Sequence, residues 1–291
     1  MTRHFFIICL ALGLAAEASG QQLLSALDAG NGSEKEFVTN AFKSTRIINT
    51  HSAELLTKRT LDVRILHRFG NLNSGVNNLY GLDQANMRLG FDYGISNRFM
   101  VGVGRSNVNK ELDGFVKYRL LWQATGRRAS PISVILVAGT TLNTAPQTDT
   151  AVANYFSSRA AYYYQLVLAR KFSDGLTLQF TPGVVHYNLV ERAADPNDIY
   201  SIGFGGRLKI TRRTTINWDY QYVLPGYLPS GYYHYVGLGV DIETGGHVFQ
   251  LHVTNSIGMN ERAFITRTSG NPSKMEVRLG FNLSRVFTIG K

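Results

Sequence analysis

The stretch Ala85–Ser106, ANMRLGFDYGISNRFMVGVGRS, decides the fold of this chain because apolar and polar residues alternate along it. Met87, Leu89 and Phe91 are separated by polar residues or glycine, and the alternation is interrupted only at Ser96-Asn97-Arg98. A strict period of two predicts strands with two unlike faces. Two strands of about ten residues, joined by a tight polar turn, form a β-hairpin long enough to cross a bilayer when tilted.

The same alternation recurs from Thr60 to the C-terminus and predicts about twelve strands, an even number as in bacterial single-chain barrels. Most short turns, at 96, 173, 212 and 245, fall at one end, and the long loops at 71–84, 143–158, 190–198, 225–231 and 256–273 fall at the other. The short loop at 107–111 and the longer turn at 124–130 are the exceptions. This sorting favours an all-β fold, a closed up-and-down transmembrane antiparallel β-barrel whose short turns are periplasmic.

Two segments of this pattern are irregular. Residues 131–142 are almost continuously apolar, so the pattern leaves the facing of that strand open. Pro182 falls inside a predicted strand, where it has no N–H to donate, and predicts a bulge or a local break in the ladder.

The N-terminus has the pattern of an export signal. Residues 5–16, FFIICLALGLAA, are apolar but too short for a membrane-spanning helix. Ala16-Glu17-Ala18 offers a cleavage site, and Ala18-Ser19-Gly20 before Gln21 offers an equally plausible one. The only cysteine, Cys9, lies in this segment. We therefore expect a signal peptide at 1–20, a segment at 21–59 that is an extra strand, a periplasmic strap or a plug in the lumen, and the barrel at 60–291.

Charge gives little support for a nucleic-acid partner. The chain has a net charge of +10, but its basic residues do not cluster in one run or on one helix. Charged residues make up only 17% of the chain, against about 25% in typical soluble domains. Many basic residues lie on the polar face of predicted strands, which points to a lumen or to the membrane rims, and we expect no nucleic acid to bind.

Four segments carry a resemblance to a known family: Leu66–Gly70 (LHRFG), Gly81–Gly90 (GLDQANMRLG), Asp113–Tyr118 (DGFVKY) and Leu279–Phe287 (LGFNLSRVF). They resemble an outer-membrane β-barrel family of Bacteroidota-type bacteria that is filed as a domain of unknown function, and the resemblance runs from about residue 42 to the C-terminus. It implies a barrel in the bacterial outer membrane, in contact with its lipid and lipopolysaccharide. It implies no activity and no catalytic residue.

The last strand is similar to the signal that the barrel-assembly machinery reads. Phe287 ends an alternating strand that contains Gly280, as such signals do, although Arg285 stands where an apolar residue is expected. The assembly machinery is therefore an expected partner.

The predicted polar face would line the lumen, since an Arg or Lys facing lipid costs about 2–4 kcal/mol at the bilayer midplane. Most charges of this face are basic, and two hypotheses remain open: a water-filled pore with a mild anion preference, or charges that pair across a narrow barrel and occlude it. The lumen candidates are Asp62, Arg64, Arg68, Arg88, Asp92, Arg98, Lys117, Arg119, Lys171, Arg207, Lys209, Asp219, Asp241, Glu276 and Arg278.

Other chemistry is weakly supported. His186, Asn188 and Ser201 could form a hydrolase trio at the outer rim, but no nucleophile elbow is present, so a lipid-modifying enzyme is a distant alternative. Gly203-Phe204-Gly205-Gly206 lacks the helix that follows a phosphate loop. The seven His show no zinc spacing. We expect no cofactor and no metal.

Two functions follow from these patterns. The first is a conduit for small polar or anionic solutes. The second is a closed structural or anchoring barrel that binds a periplasmic or surface partner through residues 21–59 or through its outer loops.

Overall fold

Fourteen strands form in the part of the chain that a computed structural model describes, residues 34–146, 155–190 and 192–290. The strands are β1 (Glu36–Phe37), β2 (Thr60–Asn71), β3 (Ala85–Ser96), β4 (Phe99–Ser106), β5 (Leu112–Leu121), β6 (Ala124–Thr125), β7 (Ser133–Leu142), β8 (Ala160–Lys171), β9 (Leu176–Tyr187), β10 (Asp198–Lys209), β11 (Thr214–Val223), β12 (Tyr235–Thr244), β13 (His247–Thr254) and β14 (Arg278–Thr288). One α-helix, α1 (Glu261–Thr266), and 3-10 turns at Leu72–Ser74, Val76–Gly81, Val108–Lys110, Ser157–Arg159 and Pro272–Lys274 complete the description.

Twelve of these strands, β2–β5 and β7–β14, close into an antiparallel barrel. Each pairs with the next barrel strand along the chain, and β14 returns to pair with β2. The predicted closed, up-and-down barrel is thereby confirmed. We call its two ends the short-turn end, where β3–β4, β8–β9, β10–β11 and β12–β13 connect, and the long-loop end.

A second, small unit includes, within the described chain, residues 34–38 and 123–131. In its described part, β1 pairs antiparallel with β6, and the Val38 N–H donates to the Gln123 carbonyl at 2.8 Å.

Alternation sorts the barrel side chains as the opening stretch predicts. On β3, Phe91 is exposed on the outer surface, whereas Arg88 and Asp92 are buried inside. On β5, Val116 and Tyr118 face outward and Lys117 inward. The outer face can contact lipid because it carries apolar side chains, and the charges are kept inside, where polar partners are available.

Strand β7, whose facing the sequence leaves open, turns Ile135 and Val137 inward and Leu136 outward. Both inward residues belong to a buried apolar cluster that includes Phe42 and Ala53 from the N-terminal segment. The strand is apolar on both faces because one meets lipid and the other meets this cluster.

Pro182 produces a local break rather than a bulge. The register of β9 with β10 continues through the pair Ile202–Pro182. On the other side the ladder with β8 has partners at Gln165–Gly183 and again at Leu168–Phe180, with no shift between them. The ladder is interrupted where proline has no N–H to donate.

Among the described residues, no helix combines the length and the apolar character that a membrane crossing requires.

Candidate functional site

The barrel lumen is occupied by residues 39–57, which we call the lumenal hairpin. It turns at Ile47–Thr50, where the Ile47 N–H donates to the Thr50 carbonyl at 2.9 Å. Its two arms meet through the Ser52 N–H and the Thr45 carbonyl at 3.0 Å. Residues 45–53 are all buried. The sequence leaves residues 21–59 open between an extra strand, a strap and a plug, and the described part from residue 39 runs inside the barrel.

Both arms of the lumenal hairpin leave the lumen at the short-turn end. Arg207 donates to the Asn40 carbonyl at 2.9 Å, and Lys43 pairs with Glu243, next to the β12–β13 turn. The Lys58 N–H donates to Asn97 Oδ1 in the β3–β4 turn at 3.1 Å. The segment therefore enters and leaves the lumen through one opening.

Inward-facing glycines make room for the hairpin. A Cβ added at Gly205 would overlap Ile47 Cδ1, and a Cβ at Gly237 would lie 3.1 Å from Ile48 Cδ1. At the base, a Cβ at Gly94 would overlap the Thr57 carbonyl oxygen. The wall and the hairpin are thus complementary in shape, and this close approach requires glycine at these wall positions.

Basic residues of the wall donate to uncharged oxygens of the lumenal hairpin. Lys117 Nζ donates to the carbonyls of Glu54 at 2.6 Å and Thr45 at 3.1 Å. Arg119 donates to the Ala53 carbonyl at 3.1 Å, and Arg68 donates to Asn49 Oδ1 at 2.7 Å. In the described part of the chain no carboxylate lies within ion-pair distance of Lys117, Arg119, Arg68 or Arg207.

Asp219 on β11 fixes the tip of the hairpin. Its carboxylate accepts from the backbone N–H groups of Asn49 and Thr50, both at 2.9 Å, and from the Thr50 hydroxyl at 2.7 Å. Gln250 on β13 donates to the Ile47 carbonyl at 2.6 Å. The polar backbone of the turn, which would be costly to bury alone, is satisfied by the wall.

The long-loop end is closed by the loop after β13, which turns inward. All six residues of α1 are buried, and Asn260 caps the helix by accepting from the Ala263 N–H at 3.0 Å. Arg262 pairs with Glu111, the residue before β5, and Thr266 Oγ1 shares a hydrogen bond with Tyr187 of β9. Loop 256–273, predicted only as a long loop, therefore contributes a helix to the lumen.

A buried ion cluster joins the hairpin to this helix. Arg46 Nη1 donates to Glu261 Oε1 at 2.6 Å, and His51 Nε2 lies 3.1 Å from the same oxygen. Burial alone would lower the pKa of Arg46, but the Glu261 carboxylate raises it above its ordinary value. Burial, with the nearby charges of Arg46 and Lys117, holds the pKa of His51 well below its usual range, so the ring is neutral.

The hairpin does not fill the short-turn end completely. A cavity of about 150 Å³ remains between its arms and the wall, lined by Lys43, Glu54, Asp62 and Ser284 among others.

The fifteen predicted lumen residues fall into two sets, eleven that are buried and face inward and four that lie at the ends of strands or outside them. Arg88 pairs with Asp113, and Arg64 with Asp62 at 3.3 Å, so part of the charge pairs within the wall. Others donate to the lumenal hairpin, as Lys117 and Arg119 do, or accept from it, as Asp219 does. The buried, inward-facing members are Asp62, Arg64, Arg68, Arg88, Asp92, Lys117, Arg119, Arg207, Asp219, Asp241 and Arg278.

The remaining four candidates lie at the ends of strands or outside them. Arg98 is exposed in the β3–β4 turn, and Glu276 precedes β14 and accepts from the Asn271 N–H at 2.8 Å. Lys171 and Lys209 are half-buried at the last positions of β8 and β10. These four do not line the middle of the barrel because the strands end at or before their positions.

Sequence reasoning missed several residues of the site. Asp113 lies on the same face of β5 as Lys117 and Arg119, so the alternation that assigns those two residues to the lumen also assigns Asp113 to it. The sequence Asn260-Glu261 carries a helix N-cap signal, but six residues are too few for a clear periodicity. Arg46 and His51 lie in a segment without alternation and gave no signal.

The hydrolase trio is not assembled. Ser201 is buried on the inner face, whereas His186 lies on the outer face beside Asp198, with Nδ1 2.7 Å from the carboxylate. Asn188 donates to the Ser157 carbonyl at 2.9 Å. Within the described residues, no group of three or more His, Cys, Asp or Glu side chains has the geometry of a metal site.

Comparison with known proteins identifies the family. The family model described as "Membrane bound beta barrel domain (DUF5777)" matches residues 42–287, and the chain belongs to this family. With its closed barrel, the protein is an outer-membrane β-barrel that sits among the lipid and lipopolysaccharide of that membrane. No match was found among curated protein sequences.

Several solved structures are similar in fold. The NanC porin aligns with a TM-score of 0.49 and 11% identity over 79% of this chain and 100% of its own. The KdgM porin gives 0.49 and 12% over 78% and 99%. An outer membrane channel from Pseudomonas putida F1 gives 0.48 and 14% over 80% and 97%. At these values the similarity concerns the architecture and identifies no solute.

Proposed function

We propose that this outer-membrane barrel is a gated conduit for small polar or anionic solutes and that the lumenal hairpin is its plug. One observation carries the proposal: wall cations such as Lys117 and Arg119 are satisfied by uncharged hairpin carbonyls rather than by carboxylates of the wall. A permanently closed barrel could pair its charges within the wall, as Arg88 and Asp113 do.

Withdrawal of the hairpin would convert the lumen into a basic channel. Lys117, Arg119, Arg68 and Arg207 would lose oxygens of the hairpin that now accept from them, while keeping their charge. Fixed positive charges along a water-filled lumen favour anions. The expected solutes are therefore small and carry carboxylate, phosphate or similar groups.

The geometry of the hairpin is compatible with withdrawal. Both arms leave through the short-turn end, so the segment can move out as a unit without breaking a barrel ladder. Its contacts with the wall are hydrogen bonds, side-chain packing and the ion pair between Lys43 and Glu243, and the chain's single cysteine, Cys9, cannot tie it covalently to the wall. The protein is, in this proposal, a non-catalytic membrane protein.

Single-channel recording in planar bilayers tests the proposal. The full chain should be closed most of the time. Gly94→Ala, which places a methyl group against the Thr57 carbonyl, should produce open steps with a reversal potential that indicates anion preference. Gly114→Ala is the matched control, because a Cβ there meets no atom closer than 3.7 Å. Absence of steps in a Gly94→Ala protein whose hairpin amides exchange faster than in wild type would refute the conduit.

A second function is favoured by the depth of closure. The hairpin from one end and α1 from the other meet in a buried ion cluster, as expected of a barrel that stays shut and serves as an anchor. In that case residues 21–38 or the outer loops would bind a periplasmic or surface partner. Purification from native membranes, with and without residues 21–38, tests this function. A partner that is lost with these residues binds through them, and a partner that both forms retain binds through the outer loops. The function fails if neither form retains a protein.

The assembly machinery remains a proposed partner through β14. Phe287 lies near the end of this strand, and the Arg285 guanidinium lies 4.8 Å from its ring. Because the aliphatic stem of an arginine can cover apolar surface, Arg285 is compatible with an outward position near the membrane rim.

A further inference from the structure

The tip of the lumenal hairpin and the inward loop, residues 256–268, meet inside the barrel. We infer that the two form one coupled latch, so that withdrawal of the hairpin at the short-turn end releases α1 at the long-loop end, and displacement of α1 loosens the hairpin. This coupling concerns two parts of the chain and does not require that the barrel conducts.

Three direct contacts join the two segments. Arg46 Nη1 donates to Glu261 Oε1 at 2.6 Å, and His51 Nε2 lies 3.1 Å from that oxygen. Asn49 Nδ2 donates to the Gly258 carbonyl at 3.1 Å. The side chains of Arg46, His51 and Glu261 are at most 1% exposed, so water does not weaken these contacts.

The helix depends on its surroundings for stability. α1 has six residues, too few to form a stable helix in water on its own. Its first residue, Glu261, contacts the hairpin, whereas Arg262 and Thr266 contact the wall. Loss of the hairpin therefore removes the partner of the residue that starts the helix.

The charge of Glu261 makes the dependence mutual. Within the described residues, Arg46 and His51 provide the only basic nitrogens within 4.0 Å of this carboxylate. A carboxylate left in a dry site without its cation is strongly unfavourable. Withdrawal of Arg46 would thus drive Glu261 toward water. Departure of Glu261 would in turn leave the buried charge of Arg46 without a carboxylate partner.

A second connection runs through the wall. Asp219, which accepts from the hairpin amides, also accepts from the Tyr235 hydroxyl at 3.3 Å. The Tyr235 ring packs against Phe264 of α1, with ring centroids 5.0 Å apart. Besides their direct contacts, the hairpin and the helix are therefore connected through two wall residues, Asp219 and Tyr235.

Such coupling is reciprocal in free energy. A partner that holds the hairpin outside the lumen from the periplasm would open the outer loop, and an external ligand that binds the displaced loop would promote withdrawal of the hairpin. The latch would connect events on the two sides of the membrane.

Thiol labelling of the full chain with Cys9→Ser, in which the reporter is the only thiol, tests the inference. S52C in the hairpin and S256C in the inward loop are near-isosteric, and both serines are fully buried. In the folded protein in detergent, Gly94→Ala or Gly205→Val should loosen the hairpin from the wall side without touching the loop. We expect labelling of both reporters by a polar maleimide to rise about fivefold or more, the lower limit of typical coupling.

Controls separate coupling from unfolding. Gly114→Ala should change neither reporter, and the barrel should keep its folded electrophoretic mobility in every variant. In an Arg46→Gln background, Gly94→Ala should still expose S52C but should raise the labelling of S256C by a smaller factor, because one of the direct contacts is already lost.

The inference is overturned if S52C becomes reactive while S256C stays protected. It is also overturned if neither glycine variant exposes S52C, because the hairpin then does not move. Both readouts are independent of conductance, so this test can succeed where the conduit fails.

Discussion

Asp219 Oδ2 accepts the Thr50 N–H at 2.9 Å, and Oδ1 of the same carboxylate accepts the Thr50 hydroxyl at 2.7 Å. One wall residue on β11 therefore accepts from both hydrogen-bond donors of a residue that is buried in the lumen. The contact ties an irregular segment to a regular strand far away in sequence.

Replacement of this carboxylate should loosen the tip of the hairpin. Asp219→Asn substitutes one acceptor oxygen by a donor, which leaves buried N–H groups of residues 48–50 unsatisfied at a cost of about 1–3 kcal/mol. Hydrogen exchange at these amides should accelerate about tenfold for each 1.4 kcal/mol lost. Asp198→Asn, in an exposed pair on the outer face, is the control and should leave the exchange unchanged. Equal protection in both variants would show that Asp219 does not hold the tip.

Two ion pairs of the barrel should differ widely in their effect on stability. Asp113→Asn leaves the fully buried Arg88 without its carboxylate and should reduce the free energy of unfolding by about 3–5 kcal/mol. Glu243→Gln breaks the pair with Lys43, in which Glu243 is 44% exposed, and should cost about 0–1 kcal/mol. Urea unfolding in lipid vesicles measures both. A larger loss for Glu243→Gln would contradict the assignment of Arg88 and Asp113 to the dry interior.

Acidification should weaken the docked hairpin through His51. Its pKa is held below the usual range, so the docked ring stays neutral while a withdrawn ring binds a proton below about pH 6.5. Above this pH, His51 does not change the docking equilibrium. Below it, the docked hairpin loses stability relative to the withdrawn hairpin as the pH falls. At pH 5.5 the loss amounts to about tenfold in the docking equilibrium.

Hydrogen exchange of residues 45–52, corrected for the intrinsic effect of pH, measures this loss. The charged groups around the ring are Arg46 and Glu261 in contact and Lys117, Arg88 and Arg64 nearby. His51→Gln should abolish the pH dependence. If the dependence persists in His51→Gln, another group is responsible.

Lys117 should contribute to anion preference once the hairpin has withdrawn. In the Gly94→Ala background, Lys117→Gln removes a buried wall cation whose present partners are the hairpin carbonyls of Thr45 and Glu54. The reversal potential in a salt gradient should move toward that of a non-selective pore. Lys274→Gln, on an exposed turn at the long-loop end, is the control. If Lys117→Gln leaves the reversal potential unchanged, Lys117 does not contribute to the anion preference and the ions do not pass along β5.

Much of the wall could be predicted from local patterns. Alternation along β3 and β5 is enough to assign Arg88 and Lys117 to the interior, because a charge on the lipid face is costly. The same argument does not apply to β7, where Ile135 faces inward, since its inner face meets apolar residues of the hairpin. Its facing depends on a segment distant in sequence.

The sequence by itself determined the strands of the barrel and, except on β7, their two faces, because alternation is a local property that the membrane enforces residue by residue. It did not determine what fills the lumen. Residues 39–57 and 261–266 have no periodic pattern, and their conformations come from contacts with strands far away in the chain, such as those of Asp219 with Thr50 and of Glu261 with Arg46. Only the tertiary structure decided that the charged lumen is occupied, because the partners of those charges are brought together by closure of the barrel.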